Sequence, residues 1–188
     1  MKKTDLRVIK TRKILYETLL SLLKTKSFEE IKVSDICSKA LVNRSTFYAH
    51  YNDKYELLVD YIDNLENNLV ETLEKNEHIA NSKEYYIELI RLLLDHIDLE
   101  KEIYQSILLN NRNSIIIDIL HDVVTKDLNK RLQEANIATG DIPSEVISRF
   151  YLGAVVSLGL LWLNNSNKYT KEDIISFLEK LIPDNVSY

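Results

Sequence analysis

Five side chains in one short stretch can meet phosphates or bases: Arg44, Ser45, Thr46, Tyr48 and His50. Each is a hydrogen-bond donor, and arginine can also pair in a forked fashion with a base edge. Phe47 and Tyr51 lie four apart, so they share a face that can anchor the segment inward. Ahead of them, Val33, Ile36 and Cys37 repeat at helical spacing and end near Ala40. Leu41 and Val42 break that pattern, and Asn43 is a good N-cap residue for the donor segment. Helix, tight turn, helix, with the donors on the second helix, is a helix-turn-helix layout. Its second helix is the one that enters the DNA major groove.

Residues Lys32 to Leu58, KVSDICSKALVNRSTFYAHYNDKYELL, resemble the TetR-type (tetracycline-repressor-like) transcriptional regulators. The pattern matched is TVxDIAxxAGVSxxTFYxHFxxKxxLL. Leu41 stands where that family usually has glycine, and Asn43 where serine or threonine is common. Leucine at this turn either takes a left-handed backbone at a cost of roughly 1 kcal/mol or adopts another geometry. By position, Arg44 and Ser45 open the recognition helix and reach base edges, with Ser34 and Asn43 as further candidates. By resemblance, Thr46, Tyr48, His50 and Lys54 match positions that hold phosphates and set register.

Charge supports the same division. Residues 1–54 carry 12 Lys+Arg against 6 Asp+Glu, a net of +6, while residues 55–188 carry 12 against 23, a net of −11. A basic head on an acidic body is the pattern of a nucleic-acid-binding domain joined to a non-binding one. The expected domains are therefore 1–54 for DNA and 55–188 for the helical body. Only three glycines and two prolines occur in 188 residues, too few for a strand-and-turn architecture, so an all-α fold is expected. A single cysteine excludes an internal disulfide framework and suits a reducing cytoplasm. No apolar run approaches the ~18 residues that span a bilayer, so no membrane partner is expected.

Along the chain, residues 5–25 read as a first helix whose face is Ile14, Leu15, Thr18, Leu19 and Leu22, with Lys2, Lys3, Arg7, Lys10, Arg12 and Lys13 ahead of that face. Phe28 and Ile31 would pack beneath the head. Asp53 can cap the next helix, with Glu56 completing a capping box, and the helix runs to about Glu77. Its first turn, with Lys54, suits a phosphate. Further helices are expected at 83–99, 101–110 and 114–135, with a loop at 136–142 and Pro143 in the first turn of a helix over 143–165. That helix, through FYLGAVVSLGLLWL, is apolar on nearly every face, which places it in a core or an interface. Thr170 and Asp173 cap a last amphipathic helix that ends before Pro183.

The resemblance implies that these last two helices form the four-helix bundle of a homodimer. Phe150, Val155, Leu158, Leu161, Trp162, Ile174, Phe177 and Leu178 would supply the interface. This region also resembles regulators related to dihydroxyacetone-kinase operons. Tyr61, Tyr85, Tyr86, His96, Tyr104 and Trp162 could line an apolar effector pocket with polar tips, although ordinary aromatic packing explains each singly. The four histidines, 50, 78, 96 and 121, lack metal-spaced partners, Asp118-x-x-His121 stands alone, and no phosphate loop or nucleophile elbow occurs. Neither a metal, a cofactor nor catalysis is expected, and Cys37 reads as a packed thiol. The function that the resemblance implies is ligand-responsive repression at a near-palindromic DNA operator. A helical protein-interaction module with a decayed head is the alternative.

Overall fold

The computed structural model describes residues 6–75, 82–110, 142–165 and 167–182, with 116, 118, 119, 122, 125 and 126 in addition. Among the described residues every regular element is an α-helix. These are α1 (Leu6–Leu23), α2 (Val33–Ala40), α3 (Arg44–Tyr48), α4 (Lys54–Glu74), α5 (Ser82–Leu99), α6 (Lys101–Asn110), α7 (Ser144–Asn164) and α8 (Lys171–Leu181). Most of the helix expected at 114–135, most of the following loop, His78, His121, Lys2 and Lys3 lie outside the described residues. The chain gathers into two compact units, Met1–Asn64 with Glu102–Asp118, and Leu65–Lys101 with Ile119–Tyr188. The expected functional boundary at residue 54 coincides with the start of α4, inside the first unit.

In the first unit α1 packs on α2 and α2 on α3. Leu15, Leu19, Leu23, Phe28, Ile31, Ile36, Phe47 and Leu57 are each 1% exposed or less. Burying a side chain of this size contributes roughly 1.5–3 kcal/mol, so this cluster dominates the head's stability. The inward face of α1 is rotated from expectation: Tyr16 is buried and Ile14 is 43% exposed. The cause is polar, since the Tyr16 hydroxyl donates to Asp60 Oδ2 at 2.5 Å.

Caps define the helix starts. Asp35 accepts from the Lys32 N–H at 3.2 Å and opens α2. Asp53 Oδ1 accepts from the N–H groups of Tyr55 and Glu56, both at 2.9 Å, and opens α4. The second half of the expected box is displaced by one residue, because Glu56 accepts from the Asn52 N–H at 2.6 Å. Thr170 and Asp173 form the full reciprocal box on α8, at 3.1 and 2.9 Å. Pro143 is the N-cap of α7 rather than its first helical residue.

In the second unit α8 packs on α5 and α7. Ile174, Ile175, Leu178 and Ile182 form its inward stripe, while Phe177 and Leu181 stay 39% and 71% exposed. Arg91 bridges to Glu179 at 3.6 Å, and Lys171 pairs with Asp95, tying α8 to α5. Helix α7 departs from expectation. By length and composition, Glu145–Asn164 could cross a membrane. Among its described side chains only Trp162 and Leu163 are buried.

Candidate DNA-binding site

The turn between α2 and α3 is settled by Leu41, which has φ 56° and ψ 37°. Among the described residues it is the only non-glycine at positive φ. The Val42 N–H donates to the Cys37 carbonyl at 3.0 Å and the Leu41 N–H to Ser38 at 3.4 Å. That crossed pair is a Schellman motif, and Leu41 occupies the position where glycine is preferred. A left-handed leucine costs roughly 1–2 kcal/mol. Its side chain recovers little of this, being 94% exposed. The usual turn is kept in spite of the residue.

Asn43 stands at the N-cap of α3, although its side chain makes no capping hydrogen bond. One turn on, Phe47 is fully buried and meets Tyr51 with ring centroids 5.8 Å apart. This fixes which way α3 faces. Asn43, Arg44, Ser45 and Tyr48 are exposed, Tyr48 by 55%, and Thr46, His50 and Ser34 are half-buried. The Tyr48 ring stands edge-on to Phe47, with the ring centroids 5.6 Å apart. Cys37 is buried, and burial pushes its thiol pKa up, so the thiol stays protonated.

Lys54 behaves differently from the expectation of a phosphate contact. Its ammonium donates to three backbone carbonyls, Phe28 at 2.7 Å, Glu29 at 3.0 Å and Ile31 at 2.9 Å. The three donors of an ammonium are thereby used within the fold. Burial lowers its pKa, with Glu29 and Asp53 acting in the opposite sense. The first turn of α4 is likewise capped by Asp53 instead of standing open to an anion.

A group that spacing did not flag lies behind the recognition helix. Asp60 accepts from Tyr51 at 2.6 Å, from Tyr16 and from Arg12 Nε at 2.9 Å. Burial first, then the hydrogen bond to Asp60, pushes the Tyr16 phenol up to about 12. The same causes push Tyr51 up as well. One signal was available in the sequence: a carboxylate among Leu57, Leu58 and Tyr61, on the apolar side of α4.

The effector candidates are only partly brought together. In the first unit the Tyr61 and Tyr104 hydroxyls lie 3.2 Å apart, and Tyr61 meets Tyr16 edge-on. In the second unit Tyr85 and Tyr86 are half-buried and perpendicular, and His96 is half-buried with its pKa lowered by burial. Trp162 is 2% exposed beneath the Lys101 ammonium, 4.5 Å from its ring centre, so it belongs to the core rather than to an open face. Of the interface candidates, Phe150 is 70% exposed, Leu161 and Phe177 about 40%, and Val155 and Leu158 are half-buried. Ile174 and Leu178 are turned inward, 1% and 2% exposed, because they sit on the α8 stripe that packs against its own unit.

Comparison with known proteins agrees with this geometry. Residues 15–61 match the bacterial regulatory proteins of the tetR family, and residues 84–184 match a transcriptional regulator C-terminal region. The dhaKLM operon transcriptional activator DhaS of Lactococcus lactis is 27% identical over 178 residues, covering 91% of this chain and 84% of that protein. An uncharacterized helix-turn-helix regulator of Bacillus subtilis, YxbF, is 43% identical over 58 residues, 30% of this chain but only 15% of that protein. The crystal structure of a TetR regulator from Streptococcus agalactiae superposes with a TM-score of 0.61 at 26% identity, covering 94% of this chain and 96% of that one. The chain belongs to the TetR family of DNA-binding transcriptional regulators.

Proposed function

We propose that the protein binds a near-palindromic operator as a homodimer, each α3 reading one half-site. The carrying observation is the orientation of α3, with Phe47 fully buried and Arg44, Ser45 and Tyr48 exposed beside it. Arg44 and Ser45 then address base edges, and Tyr48, with Thr46 and His50 at its flank, addresses phosphates. Ser34 and Asn43 lie at the starts of α2 and α3 and complete the set. Lys54 is left out, since its donors are used internally.

The dimer reading rests on α7. Val146, Phe150, Gly153, Ser157 and Leu161 fall on one helical stripe, and among the described residues nothing lies within 4 Å of where a Gly153 Cβ would stand. Large apolar groups flanking small ones allow a second helix to approach closely. A second copy of this face, with Phe177 and Leu181 of α8 beside it, is the occupant that suits a DNA-binding regulator, not a bilayer. An effector held by Tyr61 and Tyr104 in the first unit, or by Tyr85, Tyr86 and His96 in the second, would then bias the dimer; all five are half-buried.

Repression follows if the operator overlaps a promoter. Activation is a second reading, favoured by the similarity to DhaS, an operon activator. Selecting bound fragments from random DNA tests the core proposal, and transcription in vitro from a selected site tests the sign. Inverted half-sites are the expected outcome. Recovery of no enriched fragment by the purified dimer would favour the interaction-module alternative.

A further inference from the structure

Two charged side chains of α4, six positions apart, hold opposite ends of the helix-turn-helix. Lys54 reaches back 23 to 26 residues and collects the carbonyls of Phe28, Glu29 and Ile31, in the turn that precedes α2. The ammonium also lies 4.8 Å from the Phe28 ring centre and 5.5 Å from that of Tyr55. Asp60 collects Tyr51, three residues beyond α3, together with Tyr16 and Arg12 of α1. Tyr51 in turn backs the buried Phe47. The first anchor therefore fixes where α2 begins, and the second fixes where α3 ends.

We propose that Lys54 and Asp60 are positioning residues for DNA binding, touching no DNA and setting how α2 and α3 are presented to the groove. Both go beyond the DNA-facing set named above. For Lys54 the distinction from a phosphate contact is sharp. A lysine on a phosphate releases counterions and adds roughly 0.9 to the slope of log affinity against log salt. A lysine held by three carbonyls adds nothing to that slope, although its loss misaligns every contact. Its nest also has a shape: three carbonyls around one point suit an ammonium and not a planar guanidinium.

The inference rests on α3 being the DNA-facing helix, which Arg44→Ala tests separately. If that variant keeps full affinity and sequence preference for the selected fragment, the DNA-facing assignment fails, whatever Lys54 does. The test uses the full-length protein and that fragment. Lys54→Met and Asp60→Asn should each lose about tenfold or more in specific affinity, one unmade buried contact's worth, with an unchanged salt slope. Lys54→Arg should fail to restore binding. A slope reduced by about 0.9 in Lys54→Met, or recovery in Lys54→Arg, overturns the proposal for Lys54. Undiminished affinity in Asp60→Asn overturns it for Asp60. Should a variant fold poorly, the wild-type protein still decides for Lys54. Acetylation by acetic anhydride, read by mass spectrometry, should label Lys54 equally weakly with and without DNA. Strong labelling that DNA suppresses would mark a phosphate contact and overturn the proposal.

Discussion

The helix-turn-helix unit and the α7–α8 pair solve the burial problem in opposite ways. In the first, four helices close a core of eight side chains at 1% exposure or less, and polar groups seal its edges. In the second, a 21-residue apolar helix leaves Phe150 70% exposed and Val146 54% exposed. A head that closes on itself can be carried as a rigid reader. Among the described residues the body leaves an apolar face open, and exposed apolar patches of this kind mark interaction surfaces. Under the proposed function, recognition belongs to the closed region and assembly to the open one.

The most forceful way to break this contrast is to charge the open face. Phe150→Glu with Leu161→Glu should convert the proposed dimer to a monomer in light scattering and reduce operator affinity by well over a hundredfold, while the head still folds. A persistent dimer would show that assembly uses another surface. Next in size, Phe47→Ala should destabilise the head by about 3–5 kcal/mol through the cavity left in its core, read as a loss of thermal stability. A small effect would mean that the head is less closed than described.

Arg44→Ala sharpens the recognition half. It should cost about 1–3 kcal/mol at the preferred base pair and relax sequence preference, whereas Tyr48→Ala should weaken all DNA alike and flatten the salt slope by about one phosphate. Gel-shift titrations across salt concentrations separate the two. The smallest effect is expected at the turn. Leu41→Gly should raise the melting temperature, by up to about 1 kcal/mol of stability, because it releases the left-handed strain and removes a side chain that packs on little. Unfolded-state entropy works against this gain.

What was legible in the sequence was what depends on neighbours in the chain. The helix-turn-helix boundaries, the Thr170–Asp173 box and the inward placement of Phe47, Tyr51, Phe28 and Ile31 follow from spacing of three and four and from capping chemistry. What escaped depends on distant partners. Nothing near Lys54 announces that its ammonium turns to carbonyls 23 to 26 residues earlier. The turn of Tyr16 inward and Ile14 outward follows from a carboxylate 44 residues away, against the simple preference for burying isoleucine. In α8, periodicity marked an apolar helix but did not say which residues its own unit would claim. Ile174 and Leu178 were claimed; Phe177 was not.

One feature of the body has a practical consequence. Trp162 is the chain's single tryptophan, 2% exposed, with the Lys101 ammonium 4.5 Å from its ring centre. The helix-turn-helix contains none. Indole emission from this protein therefore speaks for the α7 region alone, shielded from solvent and sensitive to any shift of a cation over the ring. Nature has left the reader dark and the body luminous, so a titration followed by fluorescence can register events in one without interference from the other.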